Sequence, residues 1–168
     1  MTPAEMTPDG VAPDVVESVT VDDARPDDLP RLLEIRHAAF ARHAPAAYSP
    51  AEVATLLADV SQDELQEMIA SRQLFVARTD ARVIVGLAGW KGTHLRHVYV
   101  DPAYTRRGIA TRLLDHVEAD FRTRTGATRI EAGVALHAEP FYQARGYQLV
   151  RRAQAWDGSA YLEMTRDL

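Results

Sequence analysis

The chain has no cysteine among its 168 residues. That excludes disulfides, a thiolate nucleophile and cysteine-based metal sites. It also excludes acyl transfer through a covalent cysteine adduct. Lysine is almost missing: Lys91 is the only one. A phosphate loop ending in Gly-Lys-Ser/Thr is therefore excluded. Excess positive charge is lacking as well. The formal net charge of −5 argues against general nucleic-acid binding. No apolar run approaches the roughly 20 residues of a membrane span. No Lys or Arg precedes Arg25 and no apolar core follows the first residues, so no signal peptide is expected. A cytoplasmic location is the default expectation. What remains is a chain with 46% hydrophobic residues, enough for one domain with a real core.

The most informative stretch runs from Leu95 to Phe121. Leu95 to Val100 is rich in β-branched and aromatic residues, and Pro102 stops it, which predicts a strand. Ile109, Leu113, Val117 and Phe121 recur at four-residue spacing, with Ala110 and Leu114 beside them. That spacing predicts one apolar helix stripe, with Arg112, Asp115, His116 and Glu118 on the other side. Between strand and helix sits Arg106-Arg107-Gly108-Ile109-Ala110. A helix start carries orphan N–H groups and a positive dipole end. Gly108 permits close approach to the backbone, and two arginines suit phosphate oxygens. The stretch reads as a pyrophosphate cradle.

Around it, Pro3, Pro8 and Pro13 mark residues 1–14 as a disordered tail, with a single domain over 15–168. Val15 to Val21 reads as an edge strand. Asp27 or Asp28 starts a helix with Pro30 in its first turn. Ser49-Pro50-Ala51-Glu52 is a capping box with Tyr48 and Val53 as staple, and Ser61-Gln62-Asp63-Glu64 repeats it with Val60 and Leu65. Leu74–Arg78 and Val83–Trp90 form a hairpin whose second arm, apolar on both faces, should be central. Gly86 and Gly89 in that arm mark a bulge or a close backbone approach. Gly126 stops the long helix. Arg129 to Val134 is the next strand, parallel to the one before the helix. Pro140 to Ala144 is a short helix, and Tyr147–Arg152 with Ala160–Arg166 is a final hairpin around Asp157-Gly158.

Two segments resemble motifs of the GNAT superfamily of N-acetyltransferases. Val98 to Ala110 is similar to the acyl-CoA motif Gln/Arg-x-x-Gly-x-Gly/Ala, with Gly108 and Ala110 matching and Thr105 departing. Ala138 to Tyr147 is similar to Ala-x-x-Phe-Tyr-x-x-x-Gly-Phe/Tyr, while Ala135 stands where the family often has Asn. The resemblance spans roughly Val19 to the C-terminus. It implies an α/β domain of the GNAT fold: a mixed, mostly antiparallel, splayed sheet flanked by helices. It implies transfer of an acetyl group from acetyl-CoA, as acyl donor co-substrate, to a primary amine on a small molecule or peptide. Val98 or Tyr99 would supply a backbone N–H to the carbonyl oxygen, and Val100 would hold the pantetheine arm. Arg106, Arg107, Gly108, Ile109, Ala110 and Thr111 would hold the pyrophosphate. Tyr142 would be the acid for the leaving thiolate. Homodimerisation through the C-terminal strands is common in the family.

The base stays open at this level. His94 stands where some family members carry a catalytic Glu, and an imidazole suits the task. Glu131 and Glu139 are acidic alternatives, and a water chain is another. In a regular strand His97 faces away from His94, which argues against both on one metal, and no metal site is expected. His37, His43, His116 and His137 read as surface or packing residues. The loops Arg42–Tyr48 and Gln154–Ala160 would choose the acceptor, with Tyr48 and Trp156 able to stack or simply to pack. The competing class is an acyl-CoA-binding sensor that kept the fold and lost catalysis. A ligand-free structural domain is the third.

Overall fold

The computed structural model describes residues 18–58 and 62–168. The tail expected over residues 1–14, the strand residues Val15 and Val16, and the second cap's Val60 and Ser61 lie outside them. The strands are β1 Val19–Asp23, β2 Leu74–Thr79, β3 Ile84–Lys91, β4 His94–Val100, β5 Arg129–Ala135, β6 Gln148–Gln154 and β7 Ala160–Asp167. The helices are α1 Leu29–His43, α2 Pro50–Ala58, α3 Gln62–Ala70, α4 Ile109–Thr125 and α5 Glu139–Ala144.

All seven strands join one sheet in the order β1-β2-β3-β4-β5-β7-β6. Every pairing is antiparallel except β4 with β5. This is the mixed, mostly antiparallel sheet that the resemblance implies. β1 runs further than its apolar alternation suggests, because Asp22 and Asp23 are paired with Arg78 and Arg72 across the edge. β3 is central and buried to Trp90. Gly89 is forced by close approach: a Cβ there would sit 2.3 Å from the carbonyl oxygen of Gln73.

Helices cover both faces. On one, α4 lays Ile109, Leu113, Leu114, Val117 and Phe121 against Phe75, Val85, Trp90, Leu95 and Ile130. Burying such side chains contributes about 1.5–3 kcal/mol each. On the other, Leu32 and Ile35 of α1 and Leu65 and Met68 of α3 pack on Leu74, Val76, Ile84 and Leu87. Gly126, at φ 71°, ends α4 as expected. The capping box of α2 is present, with Ser49 N donating to Glu52 Oε1 at 3.0 Å and Glu52 N to Ser49 Oγ at 3.2 Å. Tyr48 is anchored beside it, accepting from Leu136 N at 3.1 Å and donating to Ala160 O at 2.7 Å.

One expectation on α4 is corrected. Glu118 is not on a solvated face; it is buried, its carboxylate bonded to Arg145 and Arg166. Those two arginines come from the turn after α5 and from β7, so residues distant in sequence cover that flank of the helix. Among the described residues, no helix is long and apolar enough to cross a membrane.

Candidate active site

The site is built on a failure of pairing. β4 and β5 are in parallel register over two residue pairs only, His94 with Glu131 and Leu95 with Ala132. Beyond Leu95 the strands part. β5 continues along β7 to Ala135, and β4 continues along β3 to Val100. A cleft of about 1280 Å³ opens in the gap, lined by Val98, Tyr99 and Val100 on one side and by Gly133, Val134 and Ala135 on the other. An extended ligand could add to such open strand edges as an extra strand would.

A bulge sets the angle of β4. Leu87 faces Tyr99, yet Gly89 faces Arg96, so His97 and Val98 together oppose Ala88. His97 takes a left-handed φ of 57° to make the extra residue. The bulge corrects the parity argument made for a regular strand. Leu95, Val98 and Val100 all pack toward α4, so His97 joins His94 and Arg96 on the opposite face. There its Nε2 lies 2.8 Å from Oε2 of Glu64 on α3. Arg96 donates to Oε1 of the same carboxylate at 2.7 Å. No group of three or more His, Asp or Glu fit to hold a metal occurs among the described residues.

At the mouth, Asp101 caps the turn after β4 by accepting from Ala103 N at 2.9 Å, and Arg31 of α1 grips its other oxygen at 2.6 Å. Arg106 and Gly108 are left-handed, at φ 61° and 77°. The first i→i−4 bond of α4 runs from Arg112 N to Gly108 O at 3.1 Å. The N–H groups of Ile109, Ala110 and Thr111 therefore lie in the first turn, which lacks intrahelical partners. A Cβ on Gly108 would meet nothing within 4 Å. The cradle is open and polar, and Arg106 and Arg107 beside it are exposed. These features fit a diphosphate.

Tyr142 of α5 lines the cleft and is almost wholly buried. Burial pushes its phenol far above the ordinary tyrosine range, so it stays protonated at any working pH. His94 also lines the cleft, but at its closed end. Its ring is half-exposed, with Nε2 3.5 Å from Glu131 and Nδ1 3.1 Å from the Thr93 hydroxyl. Glu139 lies apart at the start of α5, accepting from Gln143 at 2.9 Å.

Residues 45–168 match the family model described as "Acetyltransferase (GNAT) domain". The chain belongs to the GNAT acetyltransferase family. This acetyltransferase is 25% identical over 152 residues to the uncharacterized N-acetyltransferase YafP of Escherichia coli K12, covering 88% of this chain and 96% of that one. A crystal structure of a GCN5-related N-acetyltransferase from Rhodopseudomonas palustris superposes with a TM-score of 0.80 at 26% identity, over 90% of this chain and 96% of the other. The PaiA N-acetyltransferase of Thermoplasma acidophilum, solved with coenzyme A, gives a TM-score of 0.71 at 16% identity, over 90% and 99%. That last likeness is one of fold.

Sequence reasoning about this acetyltransferase did not single out Glu64, Phe40 or His43 as site residues. Phe40 and His43 of α1 line the cleft together with His137. The His137 ring stacks on His43 at 6.5 Å and meets Phe40 and Tyr48 edge-on at 5.8 and 6.2 Å. His116 likewise packs, against Phe75 at 4.6 Å. Trp156 is exposed and does not line the cleft.

Proposed function

We propose that this acetyltransferase moves an acetyl group from acetyl-CoA to a primary amine by direct attack. One observation carries the reading: the parted strands β4 and β5 lead straight to the open helix start at Gly108. The two features together match a long ligand with an extended arm and a diphosphate. PaiA, which shares the fold, was solved with coenzyme A.

The thioester supplies an activated acyl carbon with a thiolate leaving group. This chain's residues do the rest. N–H groups at Ile109, Ala110 and Thr111 hold the diphosphate, aided by the α4 dipole and by Arg106 and Arg107. The backbone of Val98 or Tyr99 donates to the carbonyl oxygen as it gains charge, and Val100 holds the arm. Tyr142 gives its proton to the departing sulfur. The acceptor amine must arrive neutral. A free alkylamine resembles lysine, and its neutral form lies roughly 4–5 kcal/mol above the ammonium form at pH 7.

The test is thiol release from acetyl-CoA against a broad amine panel, each product confirmed by mass spectrometry. Tyr142→Phe should lower kcat about 10²-fold while coenzyme A still raises the melting temperature. Binding without acetylation of any amine would replace the enzyme reading with that of a sensor.

A further inference from the structure

We propose that His97, held in place by Glu64, is the general base that takes the acceptor's proton. The inference rests on the acetyltransferase reading above and deepens it. It reassigns the role for which His94 is the sequence candidate.

Position is the first argument. The last hydrogen-bonded pair of the parallel strands is Leu95 with Ala132. His97 stands two residues further, at the crotch where the cleft begins, and is one of the residues that line that cleft. His94 stands on the closed side of the same pair, half in solvent.

Backbone is the second. His97 holds a left-handed φ of 57° within a buried sheet. A non-glycine residue there is strained, and such strain persists where surrounding structure enforces it. Here the bulge turns the ring to the face shared by α1 and α3, away from α4.

The third is the hydrogen bond. Nε2 of His97 lies 2.8 Å from Glu64 Oε2, and the two side chains are 12% and 16% exposed. Burial works to raise the Glu64 carboxyl, but hydrogen bonds from Arg96 and His97 outweigh it and hold it below the usual range. An ionised carboxylate only accepts, so Nε2 carries the hydrogen. Nδ1 then keeps the lone pair. A carboxylate on one ring nitrogen fixes the tautomer and raises the basicity of the other.

The surrounding charges agree. Burial pushes the His97 imidazole below its ordinary value, although Glu64 pulls the other way, and Arg36 of α1 and Arg96 of β4 push with burial. Lys91 of β3 stands 3.9 Å from the other oxygen of Glu64. The ring is therefore neutral near pH 7 and ready to accept a proton. As the C–N bond forms and the C–S bond breaks, Nδ1 takes the proton shed by the acceptor nitrogen. Tyr142 protonates the sulfur. Solvent then relieves His97 and restores Tyr142, so the net exchange is thioester and amine for amide and thiol.

The experiment uses the full chain, an amine found by the panel, and kcat measured against pH at saturating amine. The variants are His97→Asn, Glu64→Gln and His94→Gln, each checked for coenzyme A binding by thermal shift. Asn tolerates the left-handed backbone, so His97→Asn should bind coenzyme A normally and lose about 10²-fold in kcat. Glu64→Gln removes the group that raises the imidazole, so the acidic limb of its profile should move to lower pH. A purely structural link between α3 and β4 would lower activity without moving that limb. His94→Gln should leave the acidic limb where it stands in the wild type. An unchanged limb in Glu64→Gln, or a His97→Asn enzyme within threefold of wild type, overturns the assignment. So does a limb that vanishes in His94→Gln. A wild type that acetylates no amine overturns the parent reading and this one together.

Discussion

Nη2 of Arg145 lies 2.9 Å from Oε1 of Glu118, a carboxylate 8% exposed on the flank of α4. The other carboxylate oxygen accepts from Arg166 of β7. One acidic side chain thus ties the helix that begins at the candidate phosphate cradle to the two elements behind Tyr142. Removing one partner of a buried pair strands the other charges. Arg145 keeps Asp115 at 2.7 Å and Arg166 is partly exposed, which softens the loss. Glu118→Ala should cost about 3 kcal/mol in urea unfolding, and an unchanged midpoint would show the cluster to be idle.

Gly108→Val separates binding from folding. The residue is left-handed at φ 77°, and a Cβ would meet no protein atom within 4 Å. The backbone strain should cost about 1–2 kcal/mol, while the side chain enters the space proposed for the diphosphate. Coenzyme A affinity should fall at least about tenfold, or 1.4 kcal/mol. Gly126→Ala is the control, since that glycine is also left-handed at φ 71° with open space around it, at the other end of α4. It should lose stability and keep affinity. Equal affinities in the two variants would argue against a diphosphate at Gly108.

Gly89→Ala tests the packing of the central strand. The added carbon would lie 2.3 Å from Gln73 O and 2.7 Å from Met68 Cε. The Met68 side chain can move, but the carbonyl belongs to a turn that accepts from Trp90 N at 3.0 Å. Overpacking here should cost about 2–3 kcal/mol in a chemical melt. Wild-type stability would mean that β2 and β3 can slide apart.

Two histidines make stability depend on pH. Burial pushes both His97 and His137 below the ordinary imidazole value; Glu64 opposes it at His97, and His43 adds to it at His137. With folded values depressed, the unfolded chain takes up protons first as pH falls. Their contribution is therefore present above about pH 6.5 and declines below it, until the folded values are passed. Urea midpoints should fall between pH 7.5 and 5.5, and less steeply in His137→Phe. Parallel slopes in the two proteins would remove His137 from the account.

Much of the fold was legible because its signals are local. The stripe Ile109, Leu113, Val117 and Phe121 lies on one helix face whatever surrounds it, and all four residues are buried. The Ser49–Glu52 cap closes within one turn. Gly108 and the arginines before it mark an open helix start by chain chemistry alone. The place of Glu64 was not legible in the same way. Its position suggested a helix cap, but its carboxylate reaches Arg96 and His97 on β4, across a separation of some thirty residues that no periodicity spans.

The sequence by itself determined the elements, the helix that presents its N-terminus after β4, the absence of a cysteine nucleophile and membership of the GNAT family. The first three follow from spacing, backbone-restricted residues and composition, which need no knowledge of neighbours; the family follows from the resemblance of two segments to its motifs and from the match over residues 45–168. Only the tertiary structure decided which cleft-lining histidine bonds a partly buried carboxylate, and which face of α4 is truly solvated. A single extra residue in β4 turns His97 to the other side of the sheet, because side chains alternate with a period of two and one inserted residue shifts that alternation. Arg145 and Arg166 bury Glu118 only once β7 and the turn after α5 have closed over the helix.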